Sequence, residues 1–209
     1  MNYWPEFLLV AGAHLVAVAS PGPDFALILR QSITHGRRTA VWTSIGIGTG
    51  ILVHVSYSLL GLGLLLKGSE LWFNALKYAG AVYLAWIGVV ALRTKPAAGD
   101  GVMPTPTATP GRHGAFVTGF LVNVLNPKAA LFFIALFSVV ISPQTPRVVQ
   151  AVYGGWMSMA TMAWFTLVSL VFTRESVRRA FLRTGHWFER VMGVLLLVLA
   201  ARLALVTLH

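Results

Sequence analysis

The chain contains no cysteine. Disulfides, thiolate metal sites and dithiol redox chemistry are therefore excluded. Acidic residues are scarce as well: six among 209, against sixteen Lys and Arg. Charged residues together make up 11%, where a soluble domain carries about a quarter. So few charges cannot dress a water-facing surface, which excludes a soluble globule. The 56% hydrophobic content excludes disorder. The formal charge is +10, yet no Lys/Arg-rich helix or aromatic platform accompanies it, so no nucleic-acid partner is expected. In a chain with mean hydropathy +0.74, surplus basic charge fits the cytoplasmic loops of a membrane protein. Neither a metal nor a cofactor is expected.

What the chain has in quantity is long apolar runs. A bilayer-spanning helix needs about 20 mainly apolar residues. Six segments qualify, near 4–29, 41–66, 71–92, 115–141, 148–173 and 187–208. All are too long for strands and none alternates strictly, which argues against a β-barrel. No Lys or Arg precedes Arg30, so the first segment lacks the basic start of a secretion signal and is expected to be a membrane helix.

Basic residues set the expected orientation. The first, third and fifth loops hold eleven: Arg30, Arg37 and Arg38; Arg93, Lys95 and Arg112; Arg174, Arg178, Arg179, Arg183 and Arg190. The second and fourth hold three: Lys67, Lys77 and Arg147. The odd loops are expected in the cytoplasm and both termini outside it, in a multi-pass protein of a bacterial-type inner membrane.

Loop 94–114 contains Pro96, Pro104, Pro106 and Pro110 among Ala, Gly and Thr, the composition of a tether. It divides one transporter-like unit, 1–209, into halves 1–93 and 115–209. Three helices per half place the halves in opposite orientations, so inverted repeats are expected. Val18-Ala19-Ser20-Pro21 aligns with Val124-Leu125-Asn126-Pro127, and Lys77-Tyr78-Ala79-Gly80 with Arg190-Val191-Met192-Gly193. The expected fold is all-α: six membrane helices in two inverted three-helix repeats, the first and fourth broken by proline.

Proline donates no backbone hydrogen bond, so Pro21, Pro23 and Pro127 free the carbonyls of Ala17, Ala19 and Asn123. Such carbonyls are costly in hydrocarbon, and the breaks are expected to face protein or a polar cavity. Ser20-Pro21 and Asn126-Pro127 each read as a helix start, a capping residue followed by proline. Two half-helices would then begin within the membrane, with their positive dipole ends open to an anion. Simple proline kinks are the plainer reading. The run Ser20-Pro21-Gly22-Pro23-Asp24 exceeds it, because two prolines, a glycine and an acid break one turn.

Asp24 and Lys128 are the acid and the base set well inside the strongest segments. Each costs roughly 2.5–3.5 kcal/mol at the bilayer centre on insertion scales. Such residues face a pathway or one another. Asn123 stands a turn before Lys128 and lines the same expected cavity. Asp24, His14 and His54 are the candidate proton carriers; a hydrogen-bonded core histidine is the plainer reading of the last two. Gly46, Gly48 and Gly50 permit close helix contact, inside one subunit or across a homodimer.

At these motifs the chain resembles the LysE/RhtB family of amino-acid exporters over essentially its whole length. The resemblance is carried by His14-Leu15-Val16-Ala17 leading into Ser20-Pro21-Gly22-Pro23-Asp24-Phe25, by Gly46-Ile47-Gly48-Thr49-Gly50, by the 78–88 run, and by Gly119-Phe120-Leu121-Val122-Asn123 through Asn126-Pro127-Lys128-Ala129. It is most similar to the threonine and homoserine branch. The resemblance implies proton-driven export of a small amino acid. A zwitterion would meet Lys128 and the half-helix starts through its carboxylate, and Asp24 and freed carbonyls through its ammonium. The expected substrate contacts are Ser20, Pro21, Gly22, Pro23, Asp24, Asn123, Asn126, Pro127 and Lys128. A basic amino acid or another small solute is the alternative cargo. An intramembrane enzyme would want a nucleophile motif partnered by histidine, and none is suitably placed. A structural membrane subunit would leave two matched breaks of opposite charge unexplained.

Overall fold

The computed structural model describes residues 2–20, 22–65, 109–142 and 144–172, with scattered positions between 78 and 93 and between 177 and 205. Parts of the third and sixth expected spans, Pro21 and most of the 94–114 linker lie outside the described residues. Those described are helical, without strands. The first expected span is α1 (Trp4–Ala19) followed by α2 (Pro23–Thr34), and the second is α3 (Gly36–Leu65). The fourth is α4 (Arg112–Val124) followed by α5 (Pro127–Ala135), and it continues as a π-helical turn, Leu136–Val140. The fifth is α6 (Arg147–Phe172).

Two helices, α3 over Gly36–Leu60 and α6, are long and apolar enough to cross a bilayer unaided. The pairs α1–α2 and α4–α5 qualify when each is taken as one broken span, bent by 54° and 55° respectively. Large apolar side chains, among them Leu8, Leu60, Leu121, Val152 and Met159, face outward, as a lipid-facing surface requires. Several hydroxyls inside α3 are satisfied locally. Thr43, Ser44 and Thr49 each donate to the carbonyl four residues back, at 2.8–3.0 Å, which costs no partner elsewhere.

The starting register of the first break differs from the expected one. Helix α2 restarts at Pro23 with Gly22 as its N-cap, not at Pro21 with Ser20. A residue preceding proline is pushed out of the helical region. Ser20 and Gly22 both precede prolines and are both extended, Ser20 at φ −63°, ψ 127° and Gly22 at φ −173°, ψ −169°. The helix cannot resume before Pro23, which itself takes the first helical position. The second break matches the expectation: Asn126 is extended before Pro127, and its side chain accepts the Lys128 N–H at 2.9 Å. The structural equivalents are therefore Gly22-Pro23-Asp24 and Asn126-Pro127-Lys128, two residues from the alignment expected above.

The glycines of α3 are consumed within the chain. A Cβ on Gly46 would fall on the Phe116 carbonyl oxygen of α4, and one on Gly119 would fall on that of Thr43. Gly48 faces the opposite neighbour, with the Ser158 carbonyl 2.9 Å from where its Cβ would be. Ser158 also donates its hydroxyl to Gly48 O at 2.7 Å. Gly46 and Gly48 are accordingly taken up by packing within one chain. Scattered residues of the third and sixth segments touch as closely: Gly88 and Gly193 each present a carbonyl within 3 Å of the other's would-be Cβ.

At one end of the bundle, Glu6 of α1 accepts the Ser142 N–H at 2.8 Å and the Thr145 hydroxyl at 2.9 Å. Beside it, Tyr153 donates to Tyr3 O at 3.1 Å. The run of the helices carries Arg30, Arg37, Arg38 and Arg112 to the other end.

Candidate functional site

The two breaks face each other, and each charged residue reaches across to the other. Asp24, in the first turn of α2, accepts the Asn123 Nδ2 at 2.9 Å and the Asn126 Nδ2 at 3.0 Å. Both amides fall on Oδ2, and Oδ1 is buried without a hydrogen-bond partner among the described residues. In the other direction, Lys128 Nζ donates to the Ser20 carbonyl at 2.7 Å. Ser20 is the C-cap of α1.

This exchange follows from helix electrostatics. A carboxylate in the first turn of α2 is favoured by the helix dipole, whereas an ammonium in the first turn of α5 is opposed by about 0.3–1 kcal/mol. Lys128 relieves that opposition by lying against the C-terminal end of α1, where carbonyls carry partial negative charge. The carboxylate takes hydrogen bonds from the two amides. The protein thus keeps an acid and a base at one place, each held by hydrogen bonds with the opposite break.

Both line a cavity of about 40 Å³, room for a few water molecules. Ser20, Gly22, Asn123, Asn126 and His14 also line it. Pro23 and Pro127 occupy the first positions of α2 and α5 and shape the breaks; they are not on the cavity wall. Four polar atoms on lining residues are buried without partners among the described residues: Asp24 Oδ1, Asn123 Oδ1, Ser20 Oγ and His14 Nδ1. The first three accept hydrogen bonds, and a carboxylate and an amide oxygen can do nothing else. Buried acceptors of this kind call for a donor-rich ligand. Among the described residues no three His, Asp or Glu gather closely enough to hold a metal.

Two expectations change. The Asn123 carbonyl, freed by Pro127, is already taken by the Asn126 N–H at 2.9 Å and by His54 Nε2 at 3.0 Å. It is not open to an ammonium. His54 is fully buried and stands behind Asn123 rather than on the cavity wall. Its ring stacks on Phe133, interplanar angle 8°, and its Nδ1 meets the Tyr57 hydroxyl at 2.7 Å. His14 does line the cavity, and its Nε2 meets Thr161 Oγ1 at 3.0 Å. Thr161 escaped the sequence reading. It is a polar residue in the middle of an apolar span, which is the one signal it offers.

Residues 15–207 match the family model described as LysE type translocator. The threonine efflux protein of Salmonella typhimurium is 30% identical over 190 residues, 90% of this chain and 92% of that one. Its Escherichia coli counterpart gives the same values. The homoserine/homoserine lactone efflux protein of Salmonella typhimurium is 37% identical over 149 residues, 71% of this chain and 69% of that one. No solved structure matches. A family match across nearly the whole chain, enclosing both proline breaks and the acid and base they hold, makes this chain a member of the LysE family of translocators.

Proposed function

We propose that the chain exports small neutral amino acids of the threonine or homoserine kind in exchange for protons. The observation that carries this reading is the opposed pair of breaks, which sets Asp24 and Lys128 on one cavity wall with buried acceptors beside them. A zwitterion matches that wall. Its ammonium suits Asp24 Oδ1, Asn123 Oδ1 and Ser20 Oγ, all buried without partners among the described residues. Its carboxylate suits the Lys128 ammonium and the first-turn amides of α2, whose N-cap supplies no side-chain bond. A lysine on the wall argues against a basic substrate. The names of the threonine and homoserine efflux relatives favour the neutral, hydroxylated class.

Export against a gradient needs energy, and proton and substrate ammonium would compete for one Asp24 carboxylate. That competition is the minimum an antiporter needs. The fold that goes with it is a single unit over 1–209, its halves 1–93 and 115–209 inverted about the linker. Equal bends of 54° and 55°, and the paired Gly22-Pro23-Asp24 and Asn126-Pro127-Lys128, support that arrangement.

Proteoliposomes loaded with radiolabelled threonine, with and without an imposed pH gradient, test the reading. Gradient-driven accumulation is expected. Absence of any transport rejects an amino-acid carrier, and transport indifferent to the gradient rejects proton coupling.

A further inference from the structure

The cavity has two chemically different ends. The break residues Ser20, Asp24, Asn123 and Lys128 make one end ionic. Six residues earlier on α1, about 9 Å of helix rise, His14 stands with Thr161 of α6. The wall also carries apolar side chains, including Ile51, Phe132, Phe133 and Phe165. His14 is 2% exposed and Thr161 fully buried. One ring nitrogen of His14 meets the Thr161 hydroxyl at 3.0 Å, while the other, Nδ1, is buried without a partner among the described residues.

We infer that His14 and Thr161 form the subsite that selects a hydroxyl on the substrate side chain. The inference rests on the amino-acid reading above and narrows it. A neutral imidazole has one donor and one acceptor nitrogen. If Nε2 donates to Thr161, Nδ1 is left as an acceptor; if Thr161 donates to Nε2, Nδ1–H is left as a donor. A hydroxyl answers either state, because it donates and accepts. A methyl answers neither and leaves the buried nitrogen unpaired, which is how a site built for a hydroxyl rejects an apolar isostere. The distance suits a short substrate. Two hydrogen bonds of about 3 Å each and a chain of a few atoms between ammonium and hydroxyl fill the rise from Ser20 to His14.

The test compares isosteres. Proteoliposomes carrying the wild-type protein are loaded with radiolabelled threonine, and unlabelled threonine, valine, homoserine and norvaline compete for export. The wild type should prefer each hydroxylated amino acid over its isostere by at least about 100-fold. Thr161→Val, which keeps the shape, and His14→Phe should each bring that preference below about tenfold while valine export is kept or rises. If His14→Phe does not fold, Thr161→Val decides alone. A pair that merely ties α1 to α6 would, when broken, lower export of all four substrates alike. An unchanged preference in a transporting Thr161→Val variant overturns the inference and leaves the amino-acid reading intact, as does a wild type that carries threonine and valine equally. A wild type that carries no amino acid overturns the parent reading and this one together.

Discussion

A methyl group on Gly50 would stand 2.6 Å from Asn123 Oδ1, so the missing side chain on α3 is what allows Asn123 its position. Asn123 uses that position to give its Nδ2 to Asp24 at 2.9 Å and its carbonyl to His54 at 3.0 Å. One glycine of the second span thereby fixes the carboxylate of the first through an amide of the fourth.

Gly50→Ala should therefore impair transport without unfolding the protein. Overpacking of this kind costs about 1–3 kcal/mol, and displacement of Asn123 should slow efflux about tenfold or more. Gly155, with nothing within 4 Å of its would-be Cβ, supplies the control. Equal efflux rates for Gly50→Ala and Gly155→Ala would refute the coupling.

Asp24→Asn should lose uphill export while keeping slow exchange. The amide mimics the neutral carboxyl and cannot release a proton. Accumulation against a pH gradient in proteoliposomes, compared among wild type, Asp24→Asn and His14→Gln, decides the carrier. If Asp24→Asn still concentrates substrate at the wild-type rate and His14→Gln does not, the role passes to His14.

Lys128→Met should abolish efflux. It also removes the donor to the Ser20 carbonyl and the charge opposite Asp24, which lowers stability, so insertion and folding are measured beside efflux. Full efflux by a well-expressed Lys128→Met variant would reject a substrate role for the ammonium.

Glu6 predicts a stability effect separate from the site. Its carboxylate holds the Ser142 N–H and the Thr145 hydroxyl, and bonds to a charged group contribute roughly 1.5–3 kcal/mol. Glu6→Ala should lower the thermal midpoint in detergent more than Glu6→Gln, which keeps an acceptor oxygen. Identical midpoints for all three proteins would show that the clasp contributes nothing.

Reporter fusions check the topology. A reporter within 94–108 should read as cytoplasmic and one at either terminus as extracytoplasmic. The opposite pattern would invert the orientation and leave the helices as they are.

Much of the site was legible because prolines and lone charges are rare in membrane spans and each has a narrow set of explanations. Asp24, Lys128, Asn123 and Asn126 do converge on one cavity. The span of α6 followed within a residue from its apolar length, whereas α3 begins at Gly36, five residues before the expected start, because its first turn carries Arg37 and Arg38. The two-residue slip at the first break came from counting Pro21 as a helix start without applying to Gly22 the restriction that Pro23 imposes. His54 is the buried, hydrogen-bonded histidine of the plainer reading, but its partner was not legible. Its partner, the Asn123 carbonyl, lies 69 positions away, and nothing local records which span a histidine faces. Thr161 and Gly50 matter through neighbours on other helices, which is information a single segment does not contain.

The glycine contacts have a mechanical consequence. With Gly46 and Gly119 set against opposing backbone and Ser158 bonded to Gly48 O, α3, α4 and α6 have no slack to slide past one another. They form a stator. In the exchange proposed above, a stroke that opens the cavity first to one side and then to the other would be taken up at the breaks beside Gly22 and Asn126, with α2 and α5 swinging as short levers. Asp24 and Lys128 ride on the first turn of those levers, so in that exchange recognition and motion would share a single part.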